Sequence, residues 1–312
     1  MAGMDEFIRA LPKAELHVHL EGSAEPETLV EIDSSLTLDE VRERYVYSDF
    51  RGFLDSYKWV SSRLRTARDY ALITRRLIER LRREGVVHVE INVSAGVILW
   101  KNQRLEELFE AAAGEASRAE IPVLFIFDAV RQFGLEAAWA VARHAVRYRD
   151  QGVVAFGIGG DEKLAPAAAF LEIFDYARSE GLRIVPHAGE TGGAASVWEA
   201  VECGADRIGH GIAAAADPAL MRLLRERDIP LEICVSSNLR TGVVESIEHH
   251  PLRRLWDAGV PIVLNSDDPP MFQTTLLGEY RIAAESFGFD RDMLRQAAAN
   301  SLRYSFRPTQ TD

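Results

Sequence analysis

Four short stretches hold the side chains best able to bind a metal or move a proton: His17-Val-His19-Leu-Glu21, His187-Ala-Gly-Glu190, Gly209-His210-Gly211 and Asn265-Ser-Asp267-Asp268. They contain four of the chain's eight histidines. Three neutral imidazoles and one carboxylate form an N3O donor set suited to a borderline divalent ion such as zinc. The carboxyls left over can serve as acid or base. His-x-His alone is a weak signal. The four stretches gain meaning only if the fold brings them to one place.

The rest of the chain indicates how that happens. Segments rich in β-branched and apolar residues occur at 15–21, 86–93, 122–129, 153–158, 183–187, 207–210, 230–235 and 261–266. Between them, apolar spacing near 3.6 predicts helices at 105–119, 135–149, 166–179, 194–202, 218–227 and 251–258. Several start near a proline and stop near Gly181, Gly204 or Gly259. Strands alternating with helices pair in parallel through right-handed crossovers. Eight such units in about 250 residues predict an α/β fold, a (β/α)8 TIM barrel, whose chemistry belongs at the C-terminal strand ends. All four stretches fall at such ends, on strands 1, 5, 6 and 8. Alternation along the first strand turns His17, His19 and Glu21 to one face and Leu16, Val18 and Leu20 to the other.

No stretch reads as a linker, so residues 1–312 are expected to form one barrel domain. The first connection, 24–84, is longer than the others and holds helical patterns at 36–45 and 70–83. Long connections on this face often cover the site, which makes it a candidate lid.

Composition narrows the partners. With 48 Asp and Glu against 36 Lys and Arg, the formal net charge of −12 disfavours nucleic acid and anionic membranes. No apolar run reaches the roughly 18 residues of a membrane span. Residues 1–13 lack the apolar core of a signal peptide. The two cysteines, Cys203 and Cys234, form no CxxC and read as free thiols. These features predict a cytoplasmic protein acting on a small molecule.

Other motifs are set aside. His88-Val-Glu90 matches half of a cytidine-deaminase signature, but the chain has no PCxxC. Gly157-Ile-Gly159-Gly160 is neither GxGxxG nor a P-loop. Ser236-Ser237-Asn238 has no evident base partner. His88, His144, His249 and His250 are assigned structural roles, the last two as a helix cap or a solvent-facing pair.

Taken in order, Leu11-Pro-Lys-Ala-Glu-Leu-His17-Val-His19-Leu-Glu-Gly-Ser, Gly159-Gly160-Asp161-Glu162, His187-Ala-Gly-Glu190, Ile208-Gly-His210-Gly and Asn265-Ser-Asp267-Asp268-Pro resemble the motifs of the adenosine deaminase family, within the amidohydrolase superfamily. The resemblance covers nearly the whole chain. It implies one zinc held by His17, His19, His187 and Asp267. It further implies that Glu190 donates a proton to purine N1, His210 orients and helps activate the attacking water, Asp268 bonds N7, and the Gly160 backbone meets N3. Purine C6 is a poor electrophile until N1 is protonated. Glu190 would therefore need a pKa raised by burial or by neighbouring negative charge.

Two departures concern the substrate's 5′ side. Glu21 stands where many adenosine-using members have Asp near the ribose, and the first connection is shorter than in the animal enzymes. Adenosine is the first expected substrate, 6-aminodeoxyfutalosine of bacterial menaquinone synthesis the next. Free adenine ranks lower because Gly209 replaces the Asp typical of adenine-using relatives. Arg131 and Arg240 are assigned surface or salt-bridge roles, with an anionic substrate tail as the alternative. Another mononuclear metal-dependent hydrolase, or a non-catalytic binding protein on the same fold, are the remaining readings. Strand 4 has no lysine to bridge two metals, and a binding protein would have no reason to keep the whole polar set.

Overall fold

A computed structural model describes residues 2–307. Its eight strands are β1 (Lys13–His19), β2 (Val86–Val93), β3 (Val123–Val130), β4 (Val153–Gly159), β5 (Arg183–Ala188), β6 (Ile208–His210), β7 (Leu231–Ile233) and β8 (Ile262–Leu264). They follow one another in sequence order, each parallel to the next. A parallel bridge between Val18 and Asp267 brings the two ends of the sheet together. The predicted (β/α)8 barrel is the fold observed.

Each strand presents one row to the surrounding helices and one to the barrel axis. On β2, Val89, Ile91 and Val93 join the main apolar core. His88, Glu90 and Asn92 alternate with them, buried and held by polar contacts. His88 is structural, as expected: its ring nitrogens meet Glu90 Oε1 and the Pro122 carbonyl, both at 3.1 Å.

The first strand departs from simple alternation. Its register against β2 shifts between Glu15 and Val18, as a bulge requires. Val18 and Leu20 enter the main core, but Leu16 packs with Ala14 and Val263 in a separate small cluster. The strand closes at His19, and Glu21 lies beyond it in a 3-10 turn, Glu21–Ser23. The expectation that Glu21 shares a strand face with the two histidines is thereby corrected. The strands β6, β7 and β8 are also shorter than predicted, three residues each.

The first connection carries four helices: Pro26–Ile32, Leu38–Arg44, Phe50–Arg63 and Ala67–Arg83. Capping boxes start the second and fourth, Thr37 with Glu40 and Thr66 with Asp69. Sequence periodicity missed Phe50–Arg63 because it buries few side chains, namely Phe53, Ser56, Val60 and Ser61. Much of its remaining apolar surface faces a cavity.

Deep in the barrel a charged group stands where apolar side chains were expected. The Arg207 guanidinium donates to Glu232 at 2.5 Å, to Glu90 at 2.6 Å and to the Tyr304 carbonyl at 2.9 Å. Phe306 lies against it, 3.7 Å from the ring centre. Removing the cation strands two buried carboxylates, so Arg207→Met is expected to cost about 3–5 kcal/mol. Denaturant unfolding reads this directly, and an unchanged midpoint would contradict the linkage.

Candidate active site

The seam between β1 and β8 sets the first part of the site. The Asp267 amide donates to the His17 carbonyl at 3.0 Å, and the His19 amide donates to the Asp267 carbonyl at 2.9 Å. Three candidate metal ligands are thus registered by one another's backbones. His187 arrives on β5 and His210 at the end of β6. Asp267 and His210 both hold left-handed backbones, with φ of 63° and 59°. Such a conformation is uncommon for residues other than glycine, and here it turns both side chains into the barrel mouth.

The donor atoms converge. His19 Nε2 lies 3.3 Å from His187 Nε2 and 3.3 Å from Asp267 Oδ1, and His17 Nε2 lies 3.6 Å from the same oxygen. Ligands about 2.0–2.1 Å from a tetrahedral ion sit about 3.3–3.4 Å apart, so this spacing fits one divalent cation. His17 Nε2 is buried without a hydrogen-bond partner, which agrees with a lone pair reserved for a ligand. His210 Nε2 lies 3.8 Å from both Asp267 Oδ2 and Glu190 Oε2, and by distance alone His210 also groups with His17 and His187 as a candidate ligand.

A second layer of residues orients the first, and of these only Glu162 stood in a motif legible from sequence, Gly159-Gly160-Asp161-Glu162. Glu232 Oε2 accepts from His17 Nδ1 at 2.7 Å, leaving Nε2 free to face the cluster. Asp128 Oδ2 lies 3.7 Å from His19 Nδ1 and accepts from Asn92 at 2.9 Å. Glu162 receives the backbone amides of Gly189, Glu190 and Thr191 at 2.7–2.8 Å and so holds the turn that carries Glu190. The available signal was charge at strand positions that otherwise read as apolar, as at Glu90, Asp128, Arg207 and Glu232.

Arg131 and Arg240 do not reach the cavity. Arg131 is buried and donates to the carbonyls of Ala165 and His187 at 2.6 and 2.7 Å, a pin rather than a surface group. Arg240 is exposed and donates to Gln273. His249 is exposed, but its neighbour His250 is buried and bonded to Asn238, so the pair is split.

The cluster opens into a cavity of about 340 Å³. Its floor holds His19, His187, His210, Asp267, Glu190 and Asp268, with Gly160 on one side. The outer wall is aromatic: Phe50, Phe53 and Tyr57 come from the helix Phe50–Arg63, facing Trp100 and Phe133, which stack 5.1 Å apart. The candidate lid therefore forms part of the cavity wall.

Electrostatics separate the carboxyls. Burial, then the charges of Asp267 and Glu162, push Glu190 well above the ordinary carboxyl range. Burial and the adjacent Asp267 do the same to Asp268. Asp268 Oδ1 is buried, unpartnered and packed on Gly22, where any Cβ would fall 1.5 Å from it. Gly160, beside the floor, has φ of +93°, a backbone that favours glycine, and the Gln132 side chain packs where a Cβ would stand.

Glu21 is buried behind the wall and does not itself line the cavity. It accepts from the Tyr70 and Tyr57 hydroxyls at 3.2 and 3.3 Å and from the Ser94 amide at 3.2 Å.

Comparison with known proteins gives the family. The family model described as adenosine deaminase matches residues 12–312. The chain belongs to the adenosine deaminase family. It is an aminohydrolase with 39% identity to the aminodeoxyfutalosine deaminase of Streptomyces coelicolor, over 96% of this chain and 81% of that one. It is 37% identical to the adenine deaminase of Sinorhizobium medicae, over 95% and 94%. Among solved structures, the adenine deaminase of Arthrobacter aurescens superposes with a TM-score of 0.90 at 28% identity, covering 96% of this chain and 95% of that one. The enzyme carries its polar cluster at the C-terminal strand ends. No helix among its described residues is long and apolar enough to cross a membrane.

Proposed function

We propose that the enzyme hydrolyses the 6-amino group of an adenine nucleoside bearing a 5′ extension, releasing ammonia and the 6-oxo product. The carrying observation is the cavity floor, where four converging donor atoms lie beside two buried carboxyls of raised pKa. His17, His19, His187 and Asp267 would hold one divalent ion, zinc by the chemistry of the N3O set. Such an ion supplies Lewis acidity that makes water a nucleophile near neutral pH.

The chain's own groups account for the remainder. Glu190, held protonated by burial, donates to N1 and makes C6 electrophilic. His210, at the edge of the donor cluster, orients the water that attacks C6. Asp268, also held protonated, donates to N7, and the Gly160 amide meets N3. As C6 becomes tetrahedral, a proton passes to the amino nitrogen and ammonia departs.

With the base on the floor, the sugar and its 5′ substituent point toward the aromatic wall. Sequence ranked adenosine first. The wall of Phe50, Phe53, Tyr57, Trp100 and Phe133, together with the Streptomyces relative, favours 6-aminodeoxyfutalosine. The test is kcat/KM for 6-aminodeoxyfutalosine, adenosine and adenine on metal-loaded protein, followed by purine absorbance. At least a tenfold preference for the extended nucleoside is expected, and a preference for adenosine or adenine would reject it.

Glu21 acts on the sugar side through Tyr57 and the Ser94 amide. Losing those bonds is worth about 1–3 kcal/mol, so Glu21→Ala is expected to lower kcat/KM for nucleosides about 5–150-fold. Free adenine should change little, and an equal loss on both would remove Glu21 from sugar recognition.

A further inference from the structure

We propose that Asn238 and His250 are positioning residues that hold His210 in its Nε2–H tautomer, making it a hydrogen-bond donor to the reacting water and keeping it out of the metal's ligand set. The proposal rests on the reading of the cavity floor as a deaminase site.

The argument starts from a group whose polarity is fixed. The Leu252 backbone N–H opens the helix Leu252–Asp257, where it has no partner within the helix. It donates instead to His250 Nδ1 at 3.2 Å. A neutral imidazole has one N–H, so His250 carries its proton on Nε2. That nitrogen lies 3.2 Å from Asn238 Oδ1 and donates to it. The orientation of the Asn238 amide follows, because the flipped form would set two donors against each other. Its Nδ2 then donates to His210 Nδ1 at 3.3 Å. With a lone pair required at Nδ1, neutral His210 bears its proton on Nε2, the atom facing Glu190 and Asp267.

Two further observations agree. Asn238, His210 and His250 are all buried, so water does not compete for these bonds. Burial alone lowers His250 to about 4, so at neutral pH it is the one-proton form that the chain of bonds needs.

The contrast with His17 shows what the relay accomplishes. Glu232 accepts from His17 Nδ1, leaving the Nε2 lone pair free. Asn238 donates to His210 Nδ1, leaving Nε2 protonated. Two histidines whose rings lie 5.1 Å apart thus receive opposite tautomers from partners of opposite polarity. By residue type alone four histidines compete for three ligand places, and this hydrogen-bond polarity distinguishes His210 from His17.

The experiment is 15N NMR of the metal-loaded protein labelled at histidine, with the His210 signals assigned by their loss in His210→Gln. The wild type is expected to show a protonated Nε2 and a bare Nδ1. Asn238→Asp offers only acceptors, so it is expected to move a proton to Nδ1. It should also lower kcat about 100-fold, the scale of a lost transition-state donor, with KM changed less than threefold and metal content intact. His250→Leu should also lower kcat. His250→Gln, which can accept from Leu252 and donate to Asn238, should recover most of that loss. This pair tests the relay even if Asn238→Asp fails to fold. A wild-type His210 protonated at Nδ1, an Asn238→Asp tautomer like the wild type, or equal losses in the two His250 variants would overturn the proposal. The expected tautomers in a protein that deaminates no purine would instead overturn the proposed function and leave the relay standing.

Discussion

Glu190→Gln is expected to keep its metal and lose about 10³–10⁴-fold in kcat, because it removes a proton while preserving shape. The turn carrying residue 190 is held through backbone amides by Glu162, so the side-chain change leaves the loop in place. KM should therefore move little. Metal analysis and steady-state kinetics on the same preparation separate these effects, and near-normal turnover would remove Glu190 as the acid.

The pH profile adds a sign. Burial raises the folded pKa of Glu190 above its unfolded value. The acid form is fully present below the unfolded pKa and is lost as pH rises through the folded one. Activity should fall along that alkaline limb, and in Glu190→Gln the limb should shrink to the part that Asp268, raised in the same way, contributes. Stability follows the same linkage: over this window the folded protein retains a proton that the unfolded chain releases, so stability declines as pH rises. The glutamine variant should lose Glu190's share of that decline, while Asp268, Glu15 and Asp128, also raised by burial, keep theirs.

Asp267→Asn is the second large effect. Asn tolerates the φ of 63° at this position better than alanine does, so the seam to β1 should survive. The amide, however, replaces the only anionic donor in the proposed set. Metal affinity is expected to fall by more than about 100-fold, beyond the usual loss from changing an outer partner. Activity should fall with occupancy and return in part at high metal concentration. Metal titration and elemental analysis check this, and full occupancy at stoichiometric metal would contradict the ligand set.

Much of this protein was legible in its sequence. The alternation of strands and helices predicted the barrel, and the barrel rule placed four polar stretches at one mouth. Those inferences succeeded because they depend on local periodicity and on strand direction, which the chain encodes residue by residue. Glu21 shows where that stops. Its strand ends two residues earlier, at His19, and the chain turns into a 3-10 helix where alternation assumes continued extension. Glu232, Asn238 and His250 were not assigned to the site either, since each acts on a residue between 12 and 215 positions away.

Arg131 and His250 show the same limit from the other direction. Both read as ordinary surface or capping residues, yet both are buried and bonded to groups beside the site. A residue's type states which atoms it can offer as donor or acceptor. Which proton it keeps, and at what pKa, depends on partners brought in by other strands. The chemistry available here was therefore written in residue type and spacing, whereas the hydrogen-bond polarity at each histidine, the raised carboxyl pKa values and the aromatic wall arise only when the barrel closes and excludes water.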